Sequence, residues 1–282
     1  MSRFFVSFLI IFILKTDFIY SQYTEIINSN RPGSSSGAFS VGKNILQIEN
    51  GLFYTNEQHQ LLNYKVEGFG LNFKLRYGFL HEKLELILDG IYQADKFTDN
   101  RYSTSNIFNR KNFKKFKIGA KYLLYDPNKG KKNKPPSVYS YHNRNFDPAN
   151  PTKSKKFRFK NLIPAISVYL GMNVDSRNNP YTNNNVNGIS PSAAIFTQSN
   201  ISHRSVITTN LIFERIGSSQ NDFEYIISLT HAFSEIIIGF IENHGIKSEF
   251  YAENKMSLGI AYLFTDNLQI DIGTDVNFKQ TP

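Results

Sequence analysis

The chain has 282 residues, of which 32 are Lys or Arg and 23 are Asp or Glu, so its formal net charge at pH 7 is +9. It contains no cysteine, which excludes a disulfide scaffold, a thiolate metal site, a cysteine nucleophile and a lipid-modified N-terminal cysteine. No run of roughly 18 or more apolar residues occurs, so a membrane-spanning helix is excluded as well.

The first residues predict export. Residues 1–21 read as a secretory signal peptide, with the basic residue Arg3, the apolar core Phe4–Leu14 and a small-residue cleavage site. A buried first helix is the alternative, but a polar, turn-rich stretch, Ser29–Gly42, follows. A secreted eukaryotic domain would be expected to carry cysteines. We therefore expect a protein of a Gram-negative bacterial envelope, with a periplasmic N-terminal segment at 22–43.

The strand pattern is clearest in a hairpin. Apolar and polar residues alternate from Phe69 to Phe79, and after the turn Leu80–Lys83 they alternate again from Leu84 to Tyr92. Similar alternation, stronger or weaker, recurs along the rest of the chain. In total it predicts eleven strands, beginning near residues 45, 66, 84, 114, 161, 189, 204, 223, 235, 255 and 267.

Long amphipathic strands with short turns on one side and longer loops on the other are typical of transmembrane β-barrels. A soluble β-sandwich uses the same alternation and is the alternative. Bacterial single-chain barrels have an even number of strands. The predicted fold is therefore all-β, a twelve-stranded transmembrane antiparallel barrel over 44–282 whose last strand is absent from this chain. A miscount of one weak strand explains the odd number equally well.

The positive charge is concentrated in one insertion, residues 126–160, which sequence composition marks as a solvated loop. Its basic residues include Lys129, Lys131, Lys132, Lys134, Lys153, Lys155, Lys156 and Arg158. Because the rest of the exported chain is formally neutral, we expect no nucleic-acid partner. The anions expected nearby are the phosphates of outer-membrane lipid or lipopolysaccharide, and a loop without any partner is the alternative.

The polar faces of the strands predict a charged lumen. Placing Leu84 opposite Phe79 pairs Lys74 with Asp89, and puts Arg76 diagonal to Glu85. The predicted lumen-lining residues are Asn72, Lys74, Arg76, Glu85, Asp89, Lys117 and Lys121. These charges either line a wet passage or pair to brace a narrow barrel.

Apolar residues also fall on the inward phase of the strands, so we expect a mixed lumen. They are Ile87, Ile91, Ile163, Tyr169, Ile212 and Leu263. Such a lining favours a small amphipathic or aromatic solute over an inorganic ion.

Catalytic motifs were not found. The six histidines lie mostly in predicted turns and loops, and no HExxH motif, i,i+4 histidine pair or Ser-His-Asp arrangement is legible. We therefore expect no enzyme and no cofactor or metal, with His231 or His244 as the alternative catalytic candidates.

Several motifs follow one another in the order seen in one known family. They are Asn30-Arg31-Pro32-Gly33, then Gly42, Gln47, Glu49, Gly51 and Tyr54, then Leu75-Arg76-Tyr77-Gly78-Phe79 with Leu84-Glu85-Leu86, then Gly119-Ala120-Lys121-Tyr122, and Leu268-Gln269-Ile270-Asp271. In this order the chain resembles the outer-membrane proteins of the putative MetA-pathway of phenol degradation family over residues 30–278. The resemblance implies a porin-like outer-membrane barrel that passes aromatic or other hydrophobic small molecules. It provides no binding residue to carry over.

Two functions from different classes follow as hypotheses. The first is a channel or transporter for small hydrophobic or aromatic molecules in the cell outer membrane. The second is a non-transporting structural or assembly barrel that uses the insertion at 126–160 to dock an envelope protein.

Overall fold

The computed structural model describes residues 29–60, 62–101, 105–127, 162–182, 186, 188–202, 204–249 and 252–278. Its regular structure consists of β-strands. Eleven of them follow in chain order: β1 Leu46–His59, β2 Tyr64–Gly78, β3 Leu84–Asp99, β4 Asn106–Tyr125, β5 Ala165–Asp175, β6 Gly188–Asn200, β7 Ser205–Glu214, β8 Asp222–Ala232, β9 Ile237–Lys247, β10 Ala252–Thr265 and β11 Leu268–Asn277. Within the described part of the chain, no helix is long and apolar enough to cross a membrane.

The strands form one antiparallel sheet in which each strand pairs with its neighbours in sequence. The sheet curls through 329° into a near-closed barrel. Within the described residues, β1 and β11 are its two edges and are not hydrogen-bonded to each other. The prediction of an all-β antiparallel fold with eleven recognisable strands is confirmed, and the predicted pairing of Lys74 with Asp89 is observed.

The strand β4 is longer than the sequence predicted. It begins at Asn106 rather than near residue 114, because its polar first half pairs residue by residue with the end of β3, from Phe113 opposite Tyr92 to Asn106 opposite Asp99. A register shift between Ile91 and Tyr92 marks a bulge in this pair of strands. Alternating hydrophobicity does not reveal this half, because it has few apolar residues.

The outer face of the barrel is apolar. Every second residue of a strand points outward, and many of these residues are large, hydrophobic and exposed. Among them, Leu52, Phe69 and Ile272 expose 87%, 69% and 77% of their surface. Exposed aromatic residues are frequent where strands end at the rim at which β1 begins, and include Tyr77, Phe79, Tyr122, Tyr125, Phe233, Tyr262 and Phe264. The outer surface of the sheet is therefore more hydrophobic than its inner surface.

The two rims differ in their connections. The rim at which β1 begins, called here the N-terminal rim, carries the connections at 79–83, 126–164, 201–204, 233–236 and 266–267. The opposite rim carries those at 60–63, 100–105, 176–187, 215–221 and 248–251. The basic insertion therefore departs from the same rim as four short turns. Its basic residues from Lys129 to Arg158 lie outside the described residues, as does the predicted signal peptide at 1–21.

Candidate functional site in the lumen

The inner face of the barrel carries most of the charge. The structure places all seven residues predicted to line the lumen on this face: Asn72, Lys74, Arg76, Glu85, Asp89, Lys117 and Lys121. Arg76, Glu85 and Lys121 are completely buried. Of the apolar residues predicted to face inward, Ile163 precedes β5 and is exposed, whereas Tyr169 and Ile212 are buried inside.

The first charged cluster lies near the N-terminal rim. The Arg76 guanidinium bonds both oxygens of Glu85, with Nε 2.9 Å from Oε1 and Nη2 3.1 Å from Oε2. It also reaches Glu49 at 3.3 Å, and the Lys121 ammonium lies 3.3 Å from Glu85. Two cations and two carboxylates from four neighbouring strands therefore compensate one another. A buried charge needs such partners, because desolvation of an isolated ion is very costly.

The second charged cluster lies deeper and crosses the lumen. Lys117 on β4 contacts Glu214 on β7 at 2.8 Å, and Lys115 contacts the same carboxylate at 3.1 Å. Asp89 is more loosely held, with Lys74 at 4.0 Å and Lys117 at 3.9 Å. Direct contact between strands that are not neighbours shows that the lumen is narrow at this depth.

Three residues of this cluster were not among the residues predicted to line the lumen. Glu214 on β7 lies near Glu224 on β8, which contacts Lys115 at 3.8 Å and His244 on β9 at 3.4 Å. Their inward phase on weakly patterned strands was the only available signal. Of the two alternative catalytic histidines, His244 thus faces the lumen, whereas His231 bonds the Ser205 hydroxyl at 2.9 Å.

Further ion pairs hold the opposite rim. Arg110 bonds Asp95 at 2.8 Å, and its guanidinium lies 5.1 Å from the centre of the Tyr181 ring. Tyr181 lies in the connection after β5, where burial, followed by the nearby Asp95, raises the pKa of its phenol. Arg215 joins β5 to β8, because it bonds both Asp175 and Asp222. These contacts fix the mouth of the barrel on this side.

Residues 29–42 form a strap inside the lumen. The strap has no regular secondary structure and runs from the turn before β1 around the inside of the wall. The strap makes up most of the residues 22–43, which the sequence predicted to be a periplasmic N-terminal segment. Its hydrogen bonds reach seven strands: Val41 with Glu85 on β3, Gly37 and Phe39 with Lys121 on β4, Ala38 with Gln198 on β6, Ser36 with Asn210 on β7, Ser34 and Ser35 with Glu242 on β9, Arg31 with Asp271 on β11, and Asn30 with Glu49 on β1.

The start of the strap spans the seam between the two edge strands. The backbone N–H of Asn30 donates to the Glu49 carboxylate on β1 at 3.1 Å. The guanidinium of the next residue, Arg31, pairs with Asp271 on β11 at 3.0 Å. Gln269 on β11 also donates to the Arg31 carbonyl oxygen at 3.0 Å. The strap therefore connects β1 to β11 where the strands themselves do not pair.

A lumen chamber of about 130 Å³ lies beside the strap. Its wall is charged on β2 to β4, whereas on β7 to β9 the apolar residues Ile212 and Ile226 lie beside Glu224 and His244. Its lining includes Lys74, Asp89, Lys115, Lys117, Glu224 and His244, the apolar residues Phe196, Ile212 and Ile226, and the strap residues Arg31, Gly33, Ser34 and Ser36. This mixed lining can accept a ligand that has an apolar body and a polar end.

Comparison with known proteins gives one family. The family model described as Putative MetA-pathway of phenol degradation matches residues 29–282, which includes the strap and all eleven strands. No curated protein matches the chain significantly. The chain, a near-closed antiparallel barrel with a charged lumen, belongs to the family described as Putative MetA-pathway of phenol degradation.

Proposed function

We propose that this protein is an outer-membrane β-barrel that passes small hydrophobic or aromatic molecules through its lumen. The observation that carries the proposal is the reversed polarity of the sheet, with exposed apolar side chains outside and buried ion pairs inside. A protein surrounded by water seldom exposes an apolar surface that follows every strand. Strands that face lipid require such an apolar surface.

A bilayer also places a requirement on the seam between the edge strands β1 and β11. In lipid, unpaired backbone groups are very costly, and spanning sheets are closed for that reason. The strap satisfies inward side chains of β1 and β11 at the seam. The twelve-stranded, even-numbered closure expected from the sequence remains part of the proposal.

The size and lining of the lumen chamber support the class of solute. A cavity of about 150 Å³ lined by apolar side chains is large enough to hold benzene. The chamber, at about 130 Å³, is similar in size and has the apolar residues Phe196, Ile212 and Ile226 on one side, next to Glu224 and His244. Lys74 and Asp89 lie on the other side, where they can bond a polar substituent. A single aromatic ring with a polar group fits both surfaces.

Solute flux tests this proposal. The full chain is refolded into liposomes, folding is checked by heat-modifiable gel mobility, and entry of benzenesulfonate is compared with entry of gluconate, an aliphatic anion of the same charge. We expect the aromatic anion to enter faster. Ile212→Asn replaces an apolar wall residue by a polar one of similar size, so it should lower the flux ratio about tenfold.

The control is Lys65→Gln, because Lys65 is exposed at the opposite rim and does not line the chamber. This variant should keep the flux ratio of the natural chain. A correctly folded barrel that passes neither solute, even after Asn210→Ala with Glu242→Gln weakens the contacts of the strap, contradicts the transport proposal. A ratio that Ile212→Asn leaves unchanged contradicts the assignment of the apolar wall.

A second candidate function is favoured by the strap, which occupies part of the lumen. A barrel that does not transport would act as an assembly partner and would use the insertion at 126–160, which departs from the N-terminal rim, to dock an envelope protein or an anionic surface. Deleting 129–158 should then remove a co-purifying partner, whereas unchanged partners would contradict docking.

A further inference from the structure

We propose that the strap at residues 29–42 is a removable plug, and that solutes pass only when it leaves its seat in the lumen. This inference rests on the proposed transport function. It adds a closed state, which is the state the structure describes, and an open state reached without unfolding the barrel.

The position of the strap supports a blocking role. Several of its partners lie near the N-terminal rim, where Glu85, Lys121 and Gln198 are at most a few residues from the strand ends. Asn210 and Glu242 hold its middle about halfway along β7 and β9. Residues of the lumen chamber such as Lys115 and Glu224 lie further toward the opposite rim. The strap therefore forms the floor of the chamber. A solute that enters from the opposite rim reaches the chamber and meets the strap.

Glu242 is the main contact in the middle of the strap. Its carboxylate is 1% exposed and accepts the backbone N–H groups of Ser34 and Ser35 at 2.9 and 3.0 Å. Gly33 lies against the same carboxylate, where an added Cβ would be only 2.7 Å from Oε2. Within the described residues, the partners of this buried carboxylate are amides of the strap rather than a cation. The seat is thus shaped for the strap backbone.

Asn210 on β7 makes the most complete contact. Its side-chain oxygen accepts the Ser36 N–H at 2.6 Å, and its side-chain nitrogen donates to the Ser36 carbonyl oxygen at 2.8 Å. Asn210 is completely buried in this arrangement. Both bonds involve the strap backbone, so they hold the strap at this point independently of the Ser36 side chain.

Most contacts of the strap are polar, which favours its removal, and its apolar contacts include the packing of Ala38 and Phe39 against Leu123 and Ala165. Between residues 29 and 37 it consists mainly of Ser, Gly and Asn, and it makes no ladder of backbone bonds with the strands. Its polar partners can be hydrated once water replaces the strap, so withdrawal leaves no dry unpaired group. Arg76 and Glu85 contact each other directly, so this ion pair can persist when Glu85 loses the Val41 N–H.

The turn before β1 is bonded to β2, and the strap that precedes this turn can pivot about it. Gly42 and Asn44 have φ angles of 101° and 61°, in the left-handed region. The Asn44 amide bonds the Gly78 carbonyl oxygen at 2.8 Å, and the Gly42 carbonyl approaches Gly78 so closely that no side chain fits there. The strap can change direction at Gly42 while β1 keeps its place.

A disulfide lock tests the proposal, since the natural chain has no cysteine. Ser36→Cys with Asn210→Cys joins the strap to the wall at the point where backbone and side chain already touch. Current through the full chain is recorded in planar bilayers. We expect the oxidised protein to conduct at least tenfold less than the same protein after reduction.

The matched control joins two wall residues instead. Thr197→Cys with Thr209→Cys crosslinks β6 to β7 at residues that face each other in the ladder. Oxidation of this pair should leave the current unchanged, because the strap stays free. Mass spectrometry establishes that each disulfide has formed.

A release variant tests the opposite direction. Asn210→Ala with Glu242→Gln removes strong partners of the strap, so we expect the current to rise about tenfold or more over that of the natural chain. An equal and measurable current in the oxidised and reduced lock overturns the plug and leaves transport through the lumen intact. If the folded release variant carries neither current nor benzenesulfonate, the transport proposal fails.

Discussion

Replacing Arg76 by methionine is expected to destabilise the barrel by about 3–5 kcal/mol, because it leaves the carboxylates of Glu85 and Glu49 buried without their principal cation. Glu85 is completely buried and forms two bonds with the guanidinium. Lys121 remains 3.3 Å from Glu85 and compensates only part of the loss. The measurement is urea unfolding of the refolded protein followed by circular dichroism, since the chain has no tryptophan.

Lys65→Met is the matched control for this experiment. Lys65 also pairs with a carboxylate, Glu67, at 2.6 Å, but both side chains are about 40% exposed. The cost of this control should be about 0–1 kcal/mol, as for other solvated pairs. Adding Glu85→Gln to Arg76→Met should recover part of the stability, because it removes one of the orphaned charges. Equal losses in the two single variants would contradict the importance of burial.

A charge on the outer face should be costly in the middle of a strand and nearly neutral at its end. Ile195→Arg places a cation midway along β6, between the outward residues Val168 and Leu211. In a bilayer such a substitution costs about 2–4 kcal/mol near the midplane. The measurement is the free energy of unfolding of the barrel in liposomes.

Ser199→Arg is the control, because Ser199 lies on the same face of β6, one residue from its end at the N-terminal rim. Four residues of strand separate the two positions by roughly 13 Å. Near the interface the cost should fall to about 0–1 kcal/mol. In a water-soluble protein, both exposed substitutions would stay within about 0.5 kcal/mol. Two equally small effects would therefore contradict the membrane proposal.

Local alternation was enough to predict most of the sheet. The β2–β3 hairpin shows why: a turn of fixed length sets the register, and the register then places Lys74 opposite Asp89 and brings Arg76 to Glu85. Such contacts are local in sequence. They depend on no other part of the chain.

The remainder of the lumen could not be predicted in this way. Glu214 meets Lys117 across 97 residues, which requires knowledge of how tightly the sheet curls. The strap is polar and rich in Ser and Gly, so its sequence indicates turns and gives no periodic signal of a seat. Its structure is determined by partners on seven strands, which come together only when the barrel has formed.

The bond between Arg31 and Asp271 also constrains the order of assembly. The two residues are 240 positions apart, and Asp271 reaches its place only when the last described strand has paired with β10. Contacts of such long sequence separation form late, because closing the intervening loop is entropically costly. The first described residues of the chain are therefore among the last to become ordered, and a seated strap marks a barrel whose folding is complete.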